Sequence, residues 1–265
     1  MTRLTLTKHH GLGNDFLVVF QPCGEDLPAL ARRLCDRRRG IGADGLLVGD
    51  TVEGHDARMT LYNADGSRAE MSGNGIRCFA QAFAARRGHL GDLAILTDAG
   101  NRVVSLRSTT DPATIEATVD MGDVTTIEEP AGWRELGCHP DRPVAHLSLG
   151  NPHTVVGVDD VAVVDLARLG GQIPHVNLEI LEPGPEPNAI TLRVHERGAG
   201  ITEACGTGAC AAAYASRSWG LVARGAGDVV VHMDGGTATV SFTDESPQRA
   251  MLTGPATHIA TIEVA

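Results

Sequence analysis

The chain of 265 residues is long enough for one large domain or two modest ones, since domains usually hold about 100–200 residues. Its 22 Lys and Arg residues against 33 Asp and Glu residues give a formal net charge of −11. Such a surface repels phosphate backbones, and the apolar stretches are interrupted every few residues, so neither nucleic-acid binding nor a membrane helix is predicted.

Short alternating segments dominate the chain, with a few helical segments between them. Alternation predicts strands at Thr2–Lys8, Arg58–Tyr62, Thr114–Asp120, Ile190–Val194, Val229–Met233 and Thr237–Phe242. Helices are predicted at Leu27–Arg37, Ile76–Arg87, Val164–Leu169 and Ala209–Trp219, the second and fourth being Ala-rich. Strands therefore outnumber helices, and Pro/Gly-rich loops are predicted at Glu128–Gly132 and Glu182–Pro187.

Lysine and cysteine usage excludes several kinds of site. Lys8 is the only lysine, and it lacks the context of a pyridoxal-phosphate lysine or of a P-loop. No metal site and no disulfide framework are predicted, because the six cysteines show no Cys-x-x-Cys or zinc-type spacing. The N-terminus lacks a secretory signal pattern, so we expect a cytoplasmic protein in which each cysteine is a buried hydrophobe or a reactive thiol. These cysteines are Cys23, Cys35, Cys78, Cys138, Cys205 and Cys210.

An internal repeat is the most informative feature of the sequence. Ser72–Gly75 and Cys205–Gly208 each consist of Ser or Cys followed by Gly-x-Gly, and each runs into an Ala-rich helix. Their offset is 205 − 72 = 133 residues, almost half of the chain. This predicts two homologous domains whose turns face each other across a pseudo-twofold axis.

The turns predict acid–base chemistry at a carbon atom. A helix N-terminus stabilises an anion by roughly 0.3–1 kcal/mol, and a thiol placed there, such as Cys205, has a lowered pKa. Two such groups on opposite faces of one carbon would invert its stereochemistry, while the backbone amides would hold the substrate carboxylate. No cofactor is required for this reaction.

Blocks in the same order along essentially the whole chain resemble the diaminopimelate epimerase family. They are His10–Phe16, Arg39–Gly45, Tyr62–Ser67, Ser72–Cys78, Gly150–His153, Glu196–Gly200 and Glu203–Gly208. The resemblance implies an α+β fold of two similar, pseudo-twofold-related domains, each a mixed sheet wrapped around a central helix. We expect domains of residues 1–120 plus 255–265 and of residues 121–254, an active site between them, a final strand that returns to the first domain, and a homodimer.

The resemblance also assigns site residues by position. Cys205 is implied to be one of two acid/base groups, and Ser72 occupies the place of the other. The substrate is diaminopimelate, and its reacting α-carboxylate is expected on the amides of Gly73, Asn74, Gly206 and Thr207. Further substrate contacts are implied for Asn14, Asn63, Asn151, His153, Asn177, Glu196 and Arg197.

Ser72 departs from the family pattern, which has a thiol at this position. A hydroxyl stays protonated near neutral pH, and loss of a positioned acid/base group slows a reaction by about 10²–10⁴. Three explanations stay open: a deliberate Cys-to-Ser substitution, a natural variant that still epimerises, or altered chemistry such as dehydration.

The resemblance thus implies a pyridoxal-independent epimerase that interconverts LL- and meso-diaminopimelate for lysine and cell-wall precursor synthesis. One alternative is a racemase or dehydratase of another amino acid on the same fold. Another is a catalytically inactive binding protein that retains the amide cradle.

Overall fold

The computed structural model describes residues 4–22, 24–223, 225 and 227–264. The chain divides into two compact units, one formed by the residues up to Asp120 with those from Thr253 onward, and one formed by Met121–Leu252. Some of the sequence predictions fall outside the described residues. They concern the start of strand Thr2–Lys8, the state of Cys23, and the two chain ends of the predicted first domain.

Among the described residues, each unit contains strands, one long α-helix and one short α-helix. The first has β1 (Leu4–Gly11), β2 (Asn14–Phe20), α1 (Leu27–Cys35), β3 (Gly45–Asp50), β4 (Ala57–Asn63), β5 (Arg68–Ala69), α2 (Gly73–Arg87), β6 (Leu93–Thr97), β7 (Gly100–Ser108) and β8 (Thr114–Asp123). Then follow β9 (Thr125–Thr126), a 3-10 turn (Arg134–Leu136), β10 (Val144–Ser148), β11 (Pro152–Gly157), α3 (Leu166–Gln172), β12 (Asn177–Pro183), β13 (Ala189–Glu196), β14 (Gly200–Thr202), α4 (Gly206–Trp219), β15 (Val229–Met233), β16 (Gly236–Phe242) and β17 (Arg249–Val264).

The sheet of the first unit is mixed and wraps around α2. Along the series β1, β2, β3, β4, β6, β7 the pairings are antiparallel, parallel, antiparallel, parallel and antiparallel, and β5 pairs back on β4. Strand β8 continues from β7, and β17 pairs with both β8 and β1, so the order of strands closes on itself. Helix α2 contacts five of these strands and is buried along most of its length, which makes it the central helix.

The second unit repeats this topology. Along β10, β11, β12, β13, β15, β16 the pairings follow the same sequence of antiparallel and parallel, and β14 pairs back on β13 as β5 does on β4. Helix α4 contacts all six strands, and its small alanine side chains, fully buried, let the strands approach it closely. The predicted α+β class and the central helix of each unit are confirmed, and the repeat extends to the whole topology.

The predicted helices and strands all occur among the described residues, with shifted ends. Helices α2 and α4 begin three residues before the predicted Ile76 and Ala209, because the glycines belong to the first turn of each helix. Sequence alternation missed strands such as β2, β3, β11 and β12, since nearly all their residues are buried on both faces and polar residues do not alternate with apolar ones. None of the helices in the described part of the chain is long and apolar enough to cross a membrane.

Candidate active site

The two repeat turns place Ser72 and Cys205 at the same structural position. Each is the N-cap of its helix in an extended conformation, with φ/ψ of −140°/123° at Ser72 and −123°/117° at Cys205. Ser72 Oγ accepts a hydrogen bond from the Gly75 amide at 3.0 Å, and Cys205 Sγ accepts one from the Gly208 amide at 3.4 Å. The sequence repeat is therefore a repeat of cap geometry, in which each side chain lies against the positive end of a helix.

A buried arginine supports the first turn. Arg77 is 0% exposed and donates hydrogen bonds from Nη2 to Asn74 Oδ1 (2.7 Å), from Nη1 to the Gly73 carbonyl (3.1 Å) and from Nε to the Pro255 carbonyl (3.2 Å). Asn74 in turn donates from Nδ2 to Asn14 Oδ1 at 3.4 Å. The structure thus brings together two predicted substrate residues, Asn14 and Asn74, beside the Ser72 turn.

Charged residues hold Asn14 from the other side. Its amide donates to Asp44, which pairs with Arg37 at 2.7 Å, and Arg37 also pairs with Asp15 at 2.7 Å. Burial alone would raise the pKa of Asp15, but hydrogen bonds from Arg37 and Lys8 outweigh it and lower that pKa. The only lysine of the chain is thereby held in a structural ion pair.

Asn63 has a different environment from Asn14 and Asn74. It is exposed at the end of β4 and donates from Nδ2 to Ser67 Oγ at 3.0 Å, within the turn that follows the strand. Its predicted contact with substrate stays a prediction.

The second turn surrounds Cys205 with polar groups. Cys205 is 5% exposed, its Sγ lies 3.5 Å from Thr207 Oγ1, and the charge of Glu196 acts on it. Burial, and after it the carboxylate of Glu196, raise the pKa of the Cys205 thiol well above its usual value, although Thr207 and the Gly208 amide lower it. This reverses the direction expected from the helix N-terminus alone, because desolvation and the nearby Glu196 carboxylate outweigh the stabilisation of a thiolate by that terminus.

Glu196 lies against the thiol. It is partly buried at the end of β13, and Oε1 accepts a hydrogen bond from Thr202 Oγ1 at 2.6 Å. Burial raises the pKa of its carboxyl, while hydrogen bonds from Thr202 and Cys205 lower it. Its predicted contact with substrate stays a prediction, and its carboxyl lies where its charge raises the pKa of Cys205.

A line of hydrogen bonds extends from the second turn into the core. Asn151 Nδ2 lies 3.2 Å from Thr207 Oγ1, and Asn151 Oδ1 lies 3.0 Å from His153 Nε2. His153 Nδ1 lies 2.6 Å from Glu179 Oε1, and both side chains are 0% exposed. His153 is therefore buried between Asn151 and Glu179, and its predicted contact with substrate stays a prediction.

Glu179 was not among the residues predicted from sequence. A signal for it exists, because it is a charged residue among apolar neighbours in the buried strand β12, and such residues are rarely buried without a partner. Its position also explains a glycine: a Cβ on Gly208 would lie 2.8 Å from Glu179 Oε1, so only glycine admits the carboxyl behind the turn.

The remaining predicted residues lie at neighbouring strand ends of the second unit. Asn177 Oδ1 accepts a hydrogen bond from the Arg197 amide at 2.8 Å, while the Arg197 side chain is exposed.

Gly206 and Thr207 provide the first amides of α4, which have no intrahelical partner. Within residues 4–22, 24–223, 225 and 227–264, no group of three His, Cys, Asp or Glu side chains is arranged to hold a metal ion.

Solved structures share this fold. A phenazine biosynthesis protein of the PhzF family from Bacillus anthracis matches with a TM-score of 0.80 and 15% identity over 100% of both chains. A hydroxyproline epimerase from Agrobacterium vitis, solved with trans-4-hydroxy-L-proline, matches with a TM-score of 0.70 and 15% identity over 99% of this chain and 92% of its own. At 15% identity, these two matches show the fold alone.

Sequence comparison identifies the family to which the chain belongs. The family profile for diaminopimelate epimerase matches residues 6–127 and 146–259. Diaminopimelate epimerases from Magnetococcus marinus and Geobacillus kaustophilus are 41% and 36% identical, over 95% and 98% of this chain and 94% and 96% of their own lengths. The chain belongs to the diaminopimelate epimerase family, which confirms the resemblance seen in the sequence blocks.

Proposed function

We propose that this protein converts LL-diaminopimelate to meso-diaminopimelate by proton transfer at an α-carbon, in diaminopimelate and lysine biosynthesis. The observation that carries the proposal is the Cys205 thiol, which lies at a helix N-terminus beside the Gly208 amide, the Thr207 hydroxyl and the Glu196 carboxyl. We further propose that it acts in the cytoplasm as a homodimer, and light scattering of the purified protein tests the dimer.

Substrate binding follows from the amides of the two turns. The reacting α-carboxylate binds the first amides of α2 and α4, at Gly73, Asn74, Gly206 and Thr207, because these N–H groups and the helix dipoles favour an anion. As the α-proton leaves, negative charge spreads onto this carboxylate, and the same donors stabilise it. Asn14, Asn63, Asn151, Asn177 and Arg197 bind the remaining polar groups of the substrate.

The proton path begins at Cys205. The thiol proton moves to the Glu196 carboxylate, and the Gly208 amide and the Thr207 hydroxyl stabilise the thiolate that remains. The thiolate then removes the α-proton, which leaves a carbanion and a neutral thiol. In the reverse direction the thiol returns that proton and regains one from Glu196.

Ser72 takes the second acid/base position in this scheme. Its hydroxyl can donate a hydrogen bond, but it is far less acidic than a thiol, so delivery of the second proton is slow. We therefore expect Cys205 to exchange the α-proton faster than the protein inverts the carbon.

The test is incubation with LL-diaminopimelate in D₂O, with both α-positions followed by NMR, for the protein and for Ser72→Cys. We expect deuterium incorporation by both, and formation of meso product about 10²–10⁴ times faster in Ser72→Cys. The matched control is Ser108→Cys, which adds a thiol at an exposed position of β7. If neither protein incorporates deuterium, or if Ser108→Cys gains as much activity, the proposed function is wrong.

A further inference from the structure

We propose that Glu179 is a positioning residue that fixes the direction of the hydrogen bonds leading to Cys205, so that the Thr207 hydroxyl donates to the sulfur. This proposal deepens the proposed function, since it concerns the thiol that moves the substrate proton. Among the described residues, Glu179 makes no hydrogen bond to the sulfur or to the amides of the turn. It acts through the three side chains that lie between, those of His153, Asn151 and Thr207.

The line of hydrogen bonds has only two self-consistent directions. Where Asn151 presents Oδ1 to His153, Nε2 of the imidazole must carry a hydrogen, and Asn151 Nδ2 donates to Thr207 Oγ1. The Thr207 hydrogen is then free for Cys205 Sγ, which lies 3.5 Å away. With the amide reversed, Asn151 Oδ1 accepts the Thr207 hydrogen, Nε2 becomes an acceptor, and the sulfur loses a donor.

The direction is decided at the buried end, between His153 and Glu179. If Nε2 carries the only hydrogen of a neutral imidazole, Nδ1 is an acceptor, and so is a carboxylate oxygen. Because His153 Nδ1 and Glu179 Oε1 lie 2.6 Å apart, a further proton must then lie between them. If the line is reversed, a neutral imidazole donates from Nδ1 to an ionised Glu179. The first arrangement holds one more proton on the pair than the second.

The surroundings of Glu179 favour the arrangement with the extra proton. Its side chain is 0% exposed, and Oε2 has no hydrogen-bond partner in the part of the chain that the structure describes. A carboxylate with one oxygen buried and unpaired is much more costly than a carboxylic acid whose hydroxyl donates to His153 and whose carbonyl is unpaired. The pair therefore retains the proton, Nε2 keeps its hydrogen, and the line runs toward Cys205.

Nitrogen NMR of the protein with ¹⁵N-labelled histidine tests the direction without any turnover. We expect His153 Nε2 to be protonated at neutral pH in the parent protein, with its signals assigned by their loss in His153→Gln. An unprotonated Nε2 beside a protonated Nδ1 would overturn the proposal, because it is the signature of the reversed line.

Alkylation of Cys205 by iodoacetamide tests the consequence at the sulfur. Glu179→Leu removes the group that sets the direction, so we expect Cys205 to react about tenfold or more slowly, the loss of one hydrogen bond to a charged atom. Glu179→Gln should keep a rate near that of the parent, because its amide can donate to His153 Nδ1 as the acid does. Peptide mass mapping separates Cys205 from Cys138, which is half-buried and provides the internal standard.

The control is Glu182→Leu, which removes another carboxyl from β12, one that accepts from the Val161 amide. Equal slowing in Glu182→Leu and Glu179→Leu would overturn the proposal in favour of general damage to the strand. Faster alkylation in Glu179→Leu would also overturn it, since Glu179 would then act as a buried negative charge. The NMR signals of His153 and the alkylation rate of Cys205 are both measured without turnover. They can therefore support the role of Glu179 even if the protein does not epimerise diaminopimelate, and they can contradict that role even if it does.

Discussion

The two repeat turns have the same backbone but different support. Arg77 carries a permanent charge behind the Ser72 turn, and it donates to three acceptors. The equivalent position in the second unit, 77 + 133 = 210, is Cys210, and the polar support there comes instead from His153 and Glu179. The same turn of backbone amides is therefore supported in two ways. In the first unit the support is a guanidinium that always donates, and in the second it is a histidine and a carboxyl group that can exchange protons.

Glycine makes both kinds of support possible. A Cβ on Gly11 or Gly254 would lie 3.2 Å from the guanidinium of Arg77, and one on Gly208 would lie 2.8 Å from Glu179. In each unit, a residue without a side chain admits a large polar group close behind the turn.

The largest expected effect comes from removing the thiol of the second turn. Cys205→Ser leaves a hydroxyl in both turns, so we expect α-proton exchange to fall by about 10⁴ or below detection. Deuterium incorporation into LL-diaminopimelate measures this, with Cys138→Ser as the matched control. Exchange that survives in Cys205→Ser would mean that the asymmetry between the turns has no catalytic meaning.

The support of the first turn should matter more for stability. Arg77→Leu removes a buried guanidinium that donates to the carbonyls of Gly73 and Pro255 and to the side chain of Asn74, and we expect the free energy of unfolding to fall by about 3 kcal/mol or more. Cys210→Ala, at the equivalent buried position, should lower it by about 1 kcal/mol. Urea unfolding followed by circular dichroism measures both, and equal losses would contradict the comparison.

The cradles were predictable from sequence because their signals are local. Ser72–Gly75 and Cys205–Gly208 carry the cap, the glycines and the start of the helix within four residues each. The supports were not predictable, because their partners are distant in the chain: Arg77 reaches Pro255, 178 residues away, and His153 reaches Glu179 only through the pairing of β11 with β12.

The expected pKa of Cys205 was wrong for the same reason. Sequence shows the helix N-terminus that lowers it, but the burial that raises it most arises only on folding, and the Glu196 carboxylate that adds to it comes from another strand, β13. The central-helix fold, by contrast, could be predicted from the family blocks and the repeat, although strands buried on both faces lacked the alternation that marks the others.

Acid should destabilise the first unit through His9, which packs against α2 and hydrogen-bonds Gln81. Burial, with His258 and His10 nearby, lowers the pKa of His9 to about 4, against about 6.5 in the unfolded chain. The unfolded chain therefore binds the proton first as pH falls, so stability is full above about pH 6.5, declines by about 3 kcal/mol toward pH 4, and then levels.

Replacing His9 by Gln should remove this decline, which urea unfolding between pH 7.5 and 4 measures. His146→Gln is the matched variant in the second unit: burial also lowers the pKa of His146, but the side chain is only partly buried and a smaller change is expected. A decline that persists unchanged in His9→Gln would place the acid sensitivity elsewhere.

The smallest effect concerns Glu196, whose charge helps to raise the pKa of Cys205. Glu196→Gln removes that charge, so the pKa of the thiol should fall and iodoacetamide should alkylate Cys205 about tenfold faster, the effect of one pKa unit. Epimerisation should nevertheless slow, because the acceptor for the thiol proton is gone. This sign is opposite to that expected for Glu179→Leu, so the two variants separate a carboxylate that acts by its charge from one that acts through hydrogen-bond direction. If both variants accelerate alkylation, the charges of the two carboxylates alone set the reactivity of Cys205. The two turns would then differ only in the sign of the charge behind them, positive at Arg77 and negative at the carboxylates.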